Sequence, residues 1–219
     1  MILRPTSGPE DWRAFLAKPE HWRPGRSAME TAHAWEGAEG LPPEIATLLP
    51  GASLFLAIPE YKVPLPGGQR ESQNDVFALL VDDLGVFPCM VEAKRDEPFG
   101  PTLDEWRAKP SKGKTERLEA ICGLLGLDPG ALDGSLRYQL FHRTASAAIT
   151  AQRLRSPRAA MVVQSFSPER RWFGDFFAFA ALFGLAPEPD RAVSTDLPGG
   201  IALSLAWASA PLRTQEMAP

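Results

Sequence analysis

The sequence predicts an α/β domain in which a mixed central sheet is flanked by helices. Two observations support this prediction: a run of three apolar segments that begins the sheet with a hairpin, and a later alternation of helical and strand-like segments. A chain of 219 residues is long enough for one large domain. With 44% hydrophobic and 23% charged residues, the composition excludes collagen, coiled-coil and disordered classes.

The chain shows no internal repeat and no low-complexity linker, so we predict a single domain over residues 1–219. Within it we expect an irregular, Pro- and Trp-rich arm over 1–26, a core over 27–208 and a loose tail over 212–219. The 22 prolines stand mostly between apolar segments, which predicts long ordered loops.

Helices are predicted from caps and from apolar spacing. Ser27 and Glu30 have the spacing of a capping box, which predicts a helix that begins at Ser27 in SAMETAHAWE. Pro42 and Pro43 begin a second, short helix. Apolar residues at i, i+3, i+4 and i+7, or an apolar segment followed by a helix stop, predict the remaining helices over 114–127, 135–154 and 171–185.

Five apolar segments are predicted to be strands. The second and third are joined by the tight turn Asp82-Asp83-Leu84-Gly85, so they should form an antiparallel hairpin. The resulting element order is α–β–β–β–α–α–β–α–β, with the short second helix omitted. The predicted strands cover 52–63, 74–83, 84–94, 159–166 and 201–208.

Charge and cysteine content exclude several classes of function. The net charge of −4 excludes a globally basic nucleic-acid binder but leaves a local basic groove open. Cys89 and Cys122 each lie in an apolar segment and are expected to be buried thiols. No Cys/His cluster suggests zinc, and neither a signal peptide nor a membrane span is visible, so we predict a cytoplasmic protein.

Charged residues interrupt the third predicted strand, VFPCMVEAKRDEPFGPT, at its end. Strand alternation places Met90, Glu92 and Lys94 on one face and the residues between them on the other. Because the start of one hairpin strand faces the end of the other, Asp75 is expected beside Glu92 and Lys94. Two carboxylates and one ammonium group therefore converge at this end of the sheet.

Such a group of side chains suits Mg²⁺ or Mn²⁺, which prefers oxygen ligands and needs only one or two protein carboxylates. The cation can acidify a water molecule and neutralise a phosphoryl oxygen, and a neighbouring lysine can position the nucleophile. Asp75, followed 17 residues later by Glu92-Ala93-Lys94, resembles the core of the PD-(D/E)XK nuclease superfamily, the restriction-endonuclease-like fold. That fold has an α-β-β-β-α-β core, similar to the order predicted here from Ser27 to about Phe166.

The resemblance implies roles for particular residues. It makes Asp75 and Glu92 metal ligands and Lys94 the residue that serves the attacking water. A further acid often comes from the first helix, where Glu36 is the candidate because Glu30 is assigned to the cap. Glu71 is a weaker rival, and supporting polar groups are expected at Gln139 and Arg143.

The proline that often precedes the first acid is replaced here by Asn74, and many relatives also lack it. The phrases SQNDVFAL, VEAKRDEPFGPT and RYQLFHRTASA also resemble a bacterial branch of the superfamily with no assigned function. The function implied is metal-dependent hydrolysis of phosphodiesters in DNA or RNA.

Three other interpretations remain open at this stage. The charged residues from Glu92 to Glu97 can be a solvated ion-pair cluster. The fold can be a catalytically silent scaffold that binds nucleic acid or protein. The substrate can also be a small phosphorylated molecule, which would be hydrolysed without salt-sensitive binding of DNA.

A basic segment follows the predicted site. SKGKT ends like a phosphate-binding P-loop, but Ala108 replaces the first glycine and no strand precedes it. Contact with a nucleic-acid backbone or an exposed loop without a partner are both compatible with this pattern, and the candidates for contact are Lys109, Lys112 and Lys114. The histidines His21, His33 and His142 show no ligand spacing and are expected to be structural or at the surface.

Overall fold

The computed structural model describes residues 5–16 and 19–213 and contains a six-stranded mixed sheet flanked by helices, as predicted. The strands are β1 (Ser53–Val63), β2 (Ser72–Asp82), β3 (Gly85–Lys94), β4 (Arg158–Ser165), β5 (Ala192–Leu197) and β6 (Ile201–Ser209). The helices are α1 (Ser27–Glu36), α2 (Pro43–Leu48), α3 (Leu103–Arg107), α4 (Lys112–Leu125), α5 (Tyr138–Leu154) and α6 (Phe173–Ala181).

The strand order is β1-β2-β3-β4-β6-β5. The first three strands form an antiparallel meander, β3, β4 and β6 run parallel, and β5 returns antiparallel at the far edge. The predicted hairpin is confirmed: Asp82 pairs with Gly85, and the Leu84 amide donates to the Asp82 carboxylate at 2.8 Å. Gly85 has φ +104°, a conformation that favours glycine in so tight a turn.

Two hydrophobic clusters lie on opposite faces of the sheet. One contains Met90, Phe141 and Trp207 and is covered mainly by α4, α5 and α6; the other contains Trp35 and Val91 and is covered by α1 and α2. Alternating residues of β3 enter different clusters, as predicted from the period of two. The even-numbered side chains at the end of β3 therefore face α5.

The predicted capping box at the start of α1 is wrong. Arg26 is the N-cap and has no side-chain capping bond, and Ser27 is already helical. The Glu30 carboxylate is fully buried, accepts the Arg213 amide at 2.6 Å and lies 3.5 Å from Arg95. Glu30 therefore links α1 to the residues after β3 and to the C-terminal segment after β6.

Two elements were missed, and several helix ends differ from the prediction. Helix α3 begins with a real capping box, formed by Thr102 and Glu105. Strand β5 is a half-exposed edge strand joined to β6 by a turn in which Gly199 and Gly200 have positive φ. Its AVSTDL sequence has too few apolar residues to be recognised by hydrophobic alternation alone. Helices α5 and α6 are shorter than predicted, and α4 begins and ends two residues earlier.

The N-terminal arm packs on the sheet through two short 3₁₀ helices, Pro9–Ala14 and Pro19–His21. Its Trp12 is buried in the cluster under α1. The parts of the predicted arm and loose tail at residues 1–4, 17–18 and 214–219 lie outside the described residues. Among the helices in the described ranges, none is long and apolar enough to cross a membrane.

Candidate functional site

The end of β3 facing α5 buries two opposite charges. Glu92 is 1% exposed and Lys94 is 4% exposed, so neither belongs to a solvated surface cluster. A buried charge is costly unless it is paired and hydrogen-bonded. The interpretation of Glu92 to Glu97 as one solvated cluster is therefore wrong for its first members, whereas Asp96, farther along, is exposed and pairs with Arg171 at 3.2 Å.

Glu92 is the centre of a dense hydrogen-bond network. Its Oε1 accepts from the Lys94 ammonium and from Gln139 Nε2, the latter at 2.7 Å, and its Oε2 accepts from Arg143 Nε. Burial alone would raise the pKa of Glu92, but the charges of Arg143 and Lys94 and their hydrogen bonds outweigh it and lower that pKa. The Glu92 carboxylate is thus held ionised inside the protein, with Gln139 and Arg143 beside it as predicted.

Asp75 approaches the same group from β2. The pairing of Val76 with Val91, extended by one position, places Asp75 opposite Glu92, and its Oδ2 accepts the Ala93 amide at 2.6 Å. Burial, followed by the negative charges of Glu92 and Glu60, raises the pKa of Asp75 well above its usual range. The convergence of Asp75, Glu92 and Lys94 on one face agrees with the prediction from strand alternation.

A third acid, Glu60 on β1, was missed by the sequence analysis. The pairs Pro59–Val76 and Tyr61–Asn74 place Glu60 opposite Asp75, and Glu60 has φ +53°, which is unusual for a residue other than glycine. Gln73 donates to its carboxylate at 2.6 Å. Burial and the nearby Glu92 charge raise the pKa of Glu60 to about 7. The only sequence signal for this irregularity was the Pro59-Glu60 pair inside an otherwise apolar strand.

The two acids proposed as a third ligand do not join this group. Glu36 accepts from Thr6 Oγ1 and from Trp12 Nε1, both at 2.6 Å, so its carboxylate ties α1 to the N-terminal arm. The prediction that Glu36 faces Glu92 is therefore replaced by a structural role. Glu71 is exposed at the residue before β2.

The basic segment contributes less free charge than expected. The Lys114 ammonium donates to the carbonyls of Trp106 and Lys109 and lies 5.3 Å from the centre of the Trp106 ring. Lys114 therefore organises the loop between α3 and α4, and its predicted role in backbone contact is not supported by this geometry. Lys109 and Lys112 remain exposed, and Lys112 lies 3.6 Å from Glu116.

A surface cavity of about 420 Å³ lies beside α4, lined in part by Trp106, Lys114 and Pro129. Neither Asp75 nor Glu92 lines this cavity. The candidate catalytic residues at the end of β3 therefore do not belong to this cavity.

The donor set fits a hard divalent cation in chemical terms. Asp75 and Glu92 supply carboxylate oxygens, which Mg²⁺ and Mn²⁺ prefer. Burial is the main cause of the raised pKa of Asp75, and repulsion from Glu92 and Glu60 adds to it; a bound cation would relieve that repulsion. Within residues 5–16 and 19–213, no group of three or more His, Cys, Asp and Glu side chains is arranged to hold a metal ion. The protein would therefore supply two ligands and leave the remaining positions to water.

Comparison with known proteins places the chain in a family but assigns no activity. A family model described as "Domain of unknown function (DUF6946)" matches residues 5–212. No curated protein and no solved structure matches the chain. The function must therefore be argued from the site.

Proposed function

We propose that this chain, which belongs to the DUF6946 family, is a metal-dependent phosphodiester hydrolase of restriction-endonuclease-like type that acts on DNA or RNA. The observation that supports the proposal most is the placement of Asp75, Glu92 and Lys94 on one face at the end of a hairpin strand. Stability alone does not favour a buried acid surrounded by further acids, and strongly shifted pKa values of this kind are typical of functional sites.

Asp75 and Glu92 would hold Mg²⁺ or Mn²⁺, which supplies an acidified water and neutralises charge on a phosphoryl oxygen. Lys94 keeps a positive charge beside the carboxylates and can orient a nucleophile or stabilise an anionic transition state. Arg143 keeps Glu92 ionised, and Gln139 fixes the orientation of Oε1. The contacts of Glu92 with Lys94, Arg143 and Gln139 that these roles require are present in the structure.

Both oxygens of Glu92 are engaged by cationic or amide donors, so a metal ion must compete with Lys94 or Arg143 for this carboxylate. Removing the Lys94 ammonium should therefore leave metal affinity unchanged or increase it. The same substitution should lower the rate, because it removes a positioned catalytic group. In Lys94→Ala the rate of hydrolysis should thus fall without a loss of metal affinity.

The same closed network favours a second candidate, a catalytically silent scaffold that binds nucleic acid or protein. In that case Lys94 and Arg143 serve only to neutralise Glu92, and no cation needs to bind. The two candidates differ in whether Mn²⁺ binds at all.

The enzyme would act in the cytoplasm, and its substrate would be a nucleic acid. Cys89 and Cys122 are free thiols, in keeping with a reducing compartment. Lys109, in the loop before α4, and Lys112, the first residue of α4, are exposed and offer positive charge for a phosphate backbone.

The test is cleavage of labelled single- and double-stranded DNA and RNA in Mg²⁺ or Mn²⁺, with and without a chelator. Wild type should cut at least one of these substrates, and Lys94→Ala should be slower by about 10²-fold or more. Glu39→Gln, which changes an exposed acid outside the site, serves as the control. Hydrolysis of nucleotides alone would assign a small phosphorylated substrate, and no hydrolysis of any kind would favour the silent scaffold.

A further inference from the structure

Arg143 is held at both ends of its guanidinium group. Its Nε donates to Glu92 Oε2, while its NH1 donates to Ser72 Oγ at 3.0 Å and lies 3.2 Å from His142 Nδ1. The residue is 7% exposed. Pairing with Glu92 accounts for the charge of Arg143, but it does not require the contacts on the opposite side of the guanidinium group.

Ser72 and His142 also contact each other, since Ser72 Oγ and His142 Nδ1 are 2.8 Å apart. Two proton arrangements fit these contacts. With the imidazole proton on Nε2, Nδ1 accepts from Ser72 Oγ or from Arg143 NH1; with the proton on Nδ1, this nitrogen donates to Ser72 Oγ, which then donates to the His142 carbonyl at 3.3 Å. Burial, followed by the positive charges of Arg143, Arg117 and Lys94, lowers the pKa of His142 well below its usual range, in agreement with a neutral ring. In both arrangements Ser72 Oγ can accept from Arg143 NH1 at 3.0 Å.

The His142 ring is itself fixed from the side. Its centroid lies 5.0 Å from that of Tyr138, which stacks on Trp106 at 4.1 Å. Ser72 is the first residue of β2, three positions before Asp75, and His142 lies on α5. The contact thus joins the strand that carries Asp75 to the helix that carries Arg143.

We propose that Ser72 and His142 are positioning residues that fix Arg143 against Glu92 and so hold the Glu92 carboxylate in one orientation. With the guanidinium group anchored from behind, Oε2 faces Arg143 and Oε1 is left toward Lys94 and Gln139. This inference rests on the proposed function for its catalytic consequence, but its structural content can be measured without any activity. Groups that orient metal ligands indirectly typically affect metal affinity or rate by about 10- to 100-fold.

The experiment combines NMR of arginine Nε–H groups with kinetics. In wild type, the Arg143 Nε–H, assigned by its loss in Arg143→Lys, should be shifted downfield and protected from exchange by the Glu92 carboxylate. His142→Leu removes the ring nitrogen beside Ser72 and Arg143 and keeps an apolar side chain, and Ser72→Ala removes the hydroxyl. His142→Asn is the conservative variant, because its side-chain oxygen can occupy the position of Nδ1. His33→Leu, on α1 at the opposite face of the sheet, is the matched control.

His142→Leu and Ser72→Ala should each lose the exchange protection and lower kcat by about 10- to 100-fold, with a smaller effect on KM. His142→Asn should recover the protected signal and most of the lost kcat, and His33→Leu should change neither. A protected Nε–H and an unaltered kcat in His142→Leu would overturn the inference. If folded wild type cuts nothing, the proposed function fails, while the Nε–H signal still decides whether Ser72 and His142 position Arg143.

Discussion

Two buried glutamates lie on opposite faces of the same sheet, and the difference between their surroundings separates structure from function. Glu30, on α1, accepts the main-chain amide of Arg213 and lies 3.5 Å from the guanidinium group of Arg95. Glu92, under α5, is paired with two cationic side chains, Lys94 and Arg143, but Asp75 and Glu60 also lie close enough for their charges to interact with it. A structural role is enough to explain Glu30, whose carboxylate contacts a basic side chain and a main-chain amide. Glu92 is buried and Asp75 and Glu60 are half-buried, and their negative charges oppose one another; the proposed cation would offset that repulsion.

The largest expected effect comes from removing the charge of each glutamate in turn. Glu92→Gln should lower hydrolysis by at least about 10²-fold, because it removes a metal ligand and leaves Lys94 and Arg143 without their shared counter-charge. Glu30→Gln should keep its activity per folded molecule. The measurement is initial cleavage rate normalised to the folded fraction from circular dichroism.

Stability should also fall in the Glu92 variant. Glu92 is 1% exposed, and its substitution leaves the buried Lys94 and Arg143 without their counter-charge, so Glu92→Gln should destabilise by about 3 kcal/mol. If folded Glu30→Gln and Glu92→Gln lose activity equally, the assignment of a structural role to Glu30 and a catalytic role to Glu92 would be contradicted.

An intermediate effect concerns the pH dependence of stability around Glu60. Its pKa is raised to about 7 from an ordinary value of 4.5, so its contribution to stability is present below about pH 4.5 and is lost as pH rises to 7. Glu60→Gln should therefore raise the free energy of unfolding by about 1 to 3 kcal/mol at pH 8 and change it little at pH 4.

Urea unfolding of Glu60→Gln at both pH values measures this difference, with Glu39→Gln as an exposed control. If the free energy of unfolding rises equally at pH 4 and pH 8, ionisation of Glu60 does not destabilise the folded protein. A gain restricted to pH 8 would show that burial and the nearby charge of Glu92 oppose ionisation of Glu60.

The smallest expected effect tests whether nucleic acid approaches the face that carries Glu92. Lys112→Ala removes an exposed charge at the start of α4 and should weaken single-stranded DNA binding about threefold, with a salt dependence reduced by about one charge. Arg23→Ala, in the arm on the other face, should have no effect. Fluorescence anisotropy between low and moderate salt measures both, and equal losses would indicate binding without a preferred face.

The central part of the fold was predictable because local signals agree with the global arrangement there. Alternation in β3 and the turn at Gly85 determine which residues face α5, and the same two facts place Asp75 opposite Glu92. The inferences about β2 and β3 depend only on the period of each strand and the antiparallel register. Gln139 and Arg143 were implied by the family resemblance, and they lie one turn apart on α5.

The remaining features depend on tertiary contacts that leave little local signal. Glu30 has the spacing of a cap, yet it is directed toward Arg95 and Arg213, which are far away in sequence. Glu36 was assigned to the site because of its helix, but the N-terminal arm binds its carboxylate. Glu60 enters the site through a left-handed backbone conformation that interrupts β1, which a pattern of apolar residues cannot reveal.

The central claim, that the face of Glu92 is built around a cation, is tested most directly by Mn²⁺ calorimetry on wild type, Glu92→Gln, Lys94→Ala and Glu30→Gln. Wild type and Glu30→Gln should show saturable binding at millimolar affinity or better. Glu92→Gln should lose most of that binding, and Lys94→Ala should bind as tightly as wild type or more tightly. Folded wild type that gives no saturable heat, or Glu92→Gln that binds Mn²⁺ as wild type does, would contradict the claim.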